Sequence, residues 1–139
     1  MTIRLLTPED YALVRDLWTN TPGVGLNSVD DSEEGFRKYL LRNPSTCFAA
    51  VEDGGIIGVI MSGHDGRRGF IYHTAVREDR RGRGIGTALV QAASDALKRE
   101  GITKAALVAF AANGAGNAFW ETQGFIRRDD LVYRNKSLI

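Results

Sequence analysis

The chain has 139 residues, of which 43% are hydrophobic and 25% charged, the composition of an ordinary globular domain with one core. Lys plus Arg is 18 and Asp plus Glu is 17, so the formal charge is +1, which excludes a global attraction to nucleic acid or anionic lipid. Cys47 is the single cysteine, which excludes an intramolecular disulfide and a cysteine-rich zinc site.

In chain order, residues 2–6, "TIRLL", predict a first strand. Thr7-Pro8-Glu9-Asp10 reads as a helix start, with a capping threonine, proline at the first position and acids in the first turn. Leu13, Val14, Leu17 and Trp18 then recur at helical spacing. "NTPGVGLN" is a loop, and "DDSEEGFRKYLLRNP" predicts a second helix that stops at Asn43-Pro44. Cys47 lies in the apolar run "TCFAAV" and reads as a buried structural thiol. "TCFAAVE" and "IIGVIMS", joined by Asp53-Gly54-Gly55, form a hairpin, and "GFIYHTAV" is a third antiparallel neighbour. A helix follows from Ile85, with Ile85, Ala88, Leu89, Ala92, Ala93, Ala96 and Leu97 as its apolar stripe and Gly101 as its stop. "KAALVAF" predicts a buried strand, "NAFWETQ" a short helix ended by Gly124, and "FIRR" and "LVYRNKSL" two final strands.

The order is β-α-α-β-β-β-α-β-α-β-β: an α/β chain with one mixed sheet and helices packed on it. No composition shift marks a second unit, so residues 1–139 are expected to form a single domain. No run approaches the ~20 apolar residues of a membrane span, and the N-terminus carries no long apolar segment. A cytoplasmic protein without membrane or nucleic-acid partners is expected.

The local basic excess is in "REDRRGRGIGTALVQAASDAL", residues 77–97. Glycines there let the backbone bend tightly and approach a ligand, and the helix that follows offers unpaired N–H groups at its positive end. Strand, basic glycine loop and helix together suit a phosphate. A Walker A loop needs lysine before the threonine, and Gly86 precedes Thr87 instead. A dinucleotide fingerprint starting at Gly82 needs glycine where Thr87 stands, and it needs parallel strands.

Arg81-Gly82-Arg83-Gly84-Ile85-Gly86 matches R-x-x-G-x-G, the acyl-CoA pyrophosphate loop of the GNAT N-acetyltransferase superfamily. The later "NGAGNAFWETQGF" is similar to the second signature of that family: Asn113, Gly124 and Phe125 match, whereas Gly116 replaces an alanine and Trp120 a tyrosine. The chain resembles the family over almost its whole length. The resemblance implies the family's acyltransferase fold and an acetyl-CoA-dependent acetyltransferase, moving the acetyl group directly to an amine of a small molecule or protein. It implies that pantetheine lies between "GFIYHTAV" and "KAALVAF", along backbone groups of Ala75 and Val76, with the Val76 amide polarising the thioester carbonyl. Arg81, Gly82, Arg83, Gly84, Ile85, Gly86 and Thr87 would hold the pyrophosphate, and Asn113 the pantetheine arm. A homodimer would be unsurprising in such a family.

An alkylammonium acceptor, with a reference pKa near ~10.4, must lose a proton before it attacks. His73 is the best base by intrinsic pKa, with a hydrogen-bonded core histidine as the equal alternative. Its neighbour Tyr72 must point to the opposite face of an unbroken strand, so only one of the two can look into the cleft. His64 reads as a solvated turn residue, or with Asp65 as part of a substrate mouth. Trp120 stands where the family places a proton-donating tyrosine, and an indole N–H is not given up near neutral pH. Tyr133, on a late strand, or water is left to protonate the thiolate. Asp30, Asp31, Glu33 and Glu34 could attract a cationic amine, although helix capping explains part of that run. The rival readings are a CoA-binding sensor that has lost turnover, which Trp120 keeps open, and a nucleic-acid module. Absent aromatics around Arg77–Arg83 and the near-zero charge put the latter last.

Overall fold

A computed structural model describes residues 1–139. β1 (Thr2–Leu5) leads through a turn of 3-10 helix into α1 (Tyr11–Thr19). The Asp10 carboxylate, buried at this junction, accepts from the Thr7 N–H at 2.8 Å and takes both Arg4 guanidinium nitrogens at 2.8 and 2.9 Å. α2 (Glu33–Arg42) starts at Ser32, whose hydroxyl accepts from the Gly35 N–H, an N-cap. β2 (Phe48–Glu52) and β3 (Gly55–Ile60) form the expected hairpin, turning through Asp53 and Gly54, both at positive φ. β4 (Ser62–His64), β5 (Gly69–Ile71) and β6 (Ala75–Val76) follow, then α3 (Ile85–Arg99), β7 (Ala105–Leu107) and α4 (Gly114–Thr122).

The strands pair in two groups, β1-β2-β3-β6 and β4-β5-β7, all antiparallel except β5 with β7. β3 continues into β4 across Met61, and β5 into β6 across Tyr72–Thr74. The Tyr72 N–H donates to the Met61 carbonyl at 2.8 Å and carries the ladder across the break. Both faces of the central strands are covered, which is why "IIGVIM" is apolar without alternation. Val14, Leu17, Trp18, Phe36 and Leu40 from α1 and α2 pack on one face with Ala49 and Val59. Leu89, Val90, Ala93 and Ala96 of α3 pack on the other with Ala50, Ile57 and Ile60. Cys47 is buried as expected: its thiol donates to the Ser62 carbonyl, and burial pushes its pKa up to about 12, leaving no thiolate at neutral pH.

Four expectations need correction. "GFIYHTAV" is not one strand: it breaks at Tyr72–Thr74, where the Thr74 hydroxyl bends back to the Tyr72 carbonyl. "KAALVAF" holds a strand only over Ala105–Leu107, because β5, its one neighbour, ends at Ile71 opposite Leu107. α4 begins at Gly114, earlier than "NAFWETQ", because Asn113 supplies the cap. "FIRR" and "LVYRNKSL" form no strands. Beyond the Phe125 N–H, which bonds back to Trp120, residues 126–139 make no main-chain hydrogen bond to the body of the protein. Strand propensity needs a ladder to act on, and this segment takes no sheet edge. Its arginines and aspartates pair locally instead, Arg127 with Asp129 and Arg128 with Asp130.

Candidate active site

The glycine loop lies between β6 and α3. Gly82 and Gly84 sit at φ +78° and +79°, a left-handed backbone that side-chain-bearing residues avoid, and a Cβ at either would meet nothing within 4 Å. Gly84 is also the N-cap residue of α3 and provides no side chain to cap it. No N–H from Gly82 to Thr87 is donated to a protein acceptor; the first to be paired is that of Ala88, to the Gly84 carbonyl. Six successive free donors at the positive end of a four-turn helix make a cradle that fits a diphosphate in charge and in hydrogen-bonding chemistry. Gly86 has a different reason to be glycine: a Cβ there would lie 3.0 Å from the Phe119 ring of α4. Thr87 is tied to the end of α4, where Gln123 Nε2 donates to its hydroxyl at 3.0 Å.

The arginines divide into two groups. Arg77 and Arg80 are neutralised by Asp79, and Arg80 also by Glu52 at 2.9 Å. Arg81 and Arg83 have no carboxylate partner; Arg81 leans on the Val76 carbonyl. The charge available to an anion is therefore theirs, carried beside the free N–H groups.

β6 pairs with β3 on one side only. The Arg77 N–H donates to the Ile57 carbonyl at 2.8 Å, so by alternation the Val76 N–H points to the open edge. β7 pairs with β5 and stops at Leu107, away from β6. The sheet thus splits between β6 and the chain after β7. A cleft of about 460 Å³, lined by Phe70–Thr74, Leu107–Ala111, Asn113, Trp120, Tyr133 and, from the loop after α1, Gly23–Gly25, reaches β6 only at its neighbour Thr74. The open edge of β6 can pair with an extended amide-bearing arm.

Both Tyr72 and His73 line this cleft, contrary to the expectation that only one could. Alternation fails because residues 72–74 are not strand. His73 Nε2 is 2.9 Å from Asp31 Oδ1, and the Trp18 ring packs edge-on against the imidazole at 5.0 Å. Burial pushes the Asp31 carboxyl up. The hydrogen bonds from His73 and from the Asn27 N–H, with the His73 charge, outweigh that and hold it below the usual carboxylate value. Tyr72 packs on Phe70 and Tyr39; burial, with the charges of Tyr133 and Asp30, raises its phenol, which therefore keeps its proton at neutral pH.

Trp120 sits in the cleft wall, edge-on to Phe119 and Phe125. Tyr133 reaches the same cleft from an irregular segment, not from a late strand, and is exposed. Asn113 lines the cleft, but its Oδ1 is committed to the Gly116 N–H as the α4 cap, so the amide nitrogen is what it can offer a ligand. Ala75 and Ile85 are buried; the Ala75 backbone is turned to Val59 of β3, so of the two residues expected on the pantetheine arm only Val76 faces the open edge, and Ile85 offers its free N–H. His64 is outside the cleft: its Nδ1 accepts from the Gly66 N–H. The His73–Asp31 contact spans 42 positions, and no local pattern announces it.

Residues 11–125 match the acetyltransferase (GNAT) family. An acetyltransferase of Sodalis glossinidius is 31% identical over 139 residues, 100% of this chain and 96% of that one. An acetyltransferase of Pectobacterium atrosepticum is 32% identical over 121 residues, 87% of this chain and 84% of that one. A crystal structure of the PaiA N-acetyltransferase of Thermoplasma acidophilum in complex with coenzyme A superimposes with a TM-score of 0.80 at 20% identity, covering 92% of this chain and 91% of that one. No helix of the chain is long and apolar enough to cross a membrane. A free amide cradle, a split sheet and a family match over most of the sequence agree: the chain belongs to the GNAT family and is an acetyl-CoA-dependent N-acetyltransferase.

Proposed function

We propose that this enzyme acetylates a primary amine of a small molecule or protein, with the acetyl donor held by the backbone of residues 82–87. The observation that carries the reading is the run of free N–H groups from Gly82 to Thr87 beside the unpaired edge of β6. In this reading Arg81 and Arg83 add charge to the diphosphate site. Val76 pairs with the pantetheine arm, Ala75 being turned by the same alternation toward Val59 of β3, and the Asn113 amide nitrogen donates to it. The Val76 N–H polarises the thioester carbonyl, a contribution of ~3–4 kcal/mol for comparable single donors.

His73 takes the acceptor's proton. A neutral imidazole is the one group in the cleft wall whose intrinsic pKa suits a base near neutral pH. Tyr72 holds its proton and so cannot act as the base. Trp120 packs against the arm and cannot supply a proton, which leaves Tyr72, Tyr133 or solvent to protonate the departing thiolate. The acceptor enters past Gly23–Gly25, in a cleft whose walls are mostly apolar and aromatic, with Asp30 and Asp31 behind them. Residues 1–139 work as one catalytic domain in the cytoplasm, and the exposed Leu131, Val132 and Leu138 favour self-association into a homodimer.

The test is thiol release from acetyl-CoA across a panel of alkyl, aryl and peptide N-terminal amines. The reading predicts at least one acceptor with turnover well above hydrolysis. Binding of coenzyme A with no turnover on any amine would identify a sensor instead.

A further inference from the structure

The Asp31 carboxylate sits on the loop before α2 and is held from several directions. Its Oδ2 accepts from the Asn27 N–H at 2.7 Å, its N–H donates to the Asn27 carbonyl at 3.0 Å, and its carbonyl accepts from the Tyr11 hydroxyl at 2.7 Å. Its Oδ1 faces His73 Nε2 at 2.9 Å, and the two side chains are only 11% and 18% exposed. An ionised carboxylate can only accept a hydrogen bond, so the hydrogen of this pair belongs to Nε2. The Trp18 ring closes one side of the imidazole.

We infer that Asp31 is a positioning residue for the transfer: it fixes the Nε2–H tautomer of His73, so that Nδ1 is the ring's only proton acceptor, and it balances the imidazolium formed in the reaction. This rests on the reading of His73 as base. The acceptor ammonium gives one proton to Nδ1, and the freed nitrogen pair forms the C–N bond to the acetyl carbon. The C–S bond breaks, and the sulfur leaves with its electron pair and takes the second amine proton through solvent. The imidazolium then releases its proton to water. The other titratable group on its own segment is Tyr72, whose phenol Asp30 and Tyr133 are close enough to act on; α1 contributes Trp18 against the ring, which does not titrate.

The chain has two histidines, so His64→Gln leaves a single imidazole whose nitrogen spectrum reports its tautomer without any acceptor present. The expected result is an Nε2–H ring in that background and a mixed tautomer after Asp31→Ala. Asp31→Asn keeps an accepting oxygen but removes the charge. It should reduce kcat about tenfold, measured on the best amine of the panel. An unchanged tautomer in Asp31→Ala, or an undiminished kcat in Asp31→Asn, overturns the inference and leaves Asp31 as a pin for its loop, even if the melting temperature falls. His73→Gln separates the two claims. Wild-type turnover and pH profile in that variant sinks His73 as the base, whatever the tautomer proves to be.

Discussion

Gly84 permits two substitutions that share a backbone cost and differ in what they put into the cradle. At φ +79° any side chain meets the left-handed penalty of about 1–2 kcal/mol. No protein atom lies within 4 Å of the new Cβ, so no clash is added. In Gly84→Ala the melting temperature should fall by about 2–8 °C. In Gly84→Glu the carboxylate sits at the positive end of α3 and regains ~0.3–1 kcal/mol without ligand, so the apo variant stays folded. With ligand, a carboxylate about 5 Å from a phosphate charge is repelled by about 3 kcal/mol at an effective dielectric of 20. Mobility and salt reduce this, while the second phosphate charge adds to it. A loss near 2.7 kcal/mol, or ~100-fold in Kd for coenzyme A, is expected by calorimetry. Acetyl-pantetheine lacks the diphosphate and should be used equally well by Gly84→Glu and wild type. Unchanged coenzyme A affinity in folded Gly84→Glu would refute the placement. An equal loss toward acetyl-pantetheine would show distortion of the cleft rather than of the anion site.

Removing Arg81 and Arg83 together should weaken coenzyme A binding roughly 10–30-fold and flatten its salt dependence, as expected of two exposed charge contacts. Arg80→Ala should instead cost about 1 kcal/mol of stability through the lost Glu52 pair, with affinity within twofold of wild type. Leu89→Ala opens a cavity between α3 and β3 and should cost about 2–5 kcal/mol in urea unfolding. Burial raises the Asp10 carboxyl, but Arg4 and the Thr7 N–H hold it below its usual value. Its stabilisation is therefore complete above the unfolded value near ~3.9 and is lost as pH falls through the lower folded value. Urea titrations should show that loss in wild type and a flatter slope in Asp10→Asn.

What was legible in the sequence was local. The cradle follows from a glycine pair, a following amphipathic helix and the arginines beside it, all within one turn-and-helix segment. The β2–β3 hairpin follows from Asp53-Gly54, and the burial of Cys47 from the apolar run around it. What escaped depends on partners far along the chain. The break at Tyr72–Thr74 lies within a stretch rich in strand-forming residues, yet it is what turns both Tyr72 and His73 into the cleft. The Asp31–His73 contact joins a loop to that break across 42 positions, so the aspartate reads on its own as one more acid ahead of a helix. Arg77 and Arg80 look like part of an anion site until Asp79 and Glu52 are seen beside them. The C-terminal "FIRR" and "LVYRNKSL" carry strand-forming residues, but pairing requires an edge, and their propensity alone does not supply one.

The most direct measurement is a crystal structure of the protein with coenzyme A. The diphosphate oxygens should lie within hydrogen-bonding distance of main-chain N–H groups in residues 82–87, with pantetheine along the free edge of β6 beside Val76. A ligand bound elsewhere, with that stretch of backbone untouched, would contradict the account.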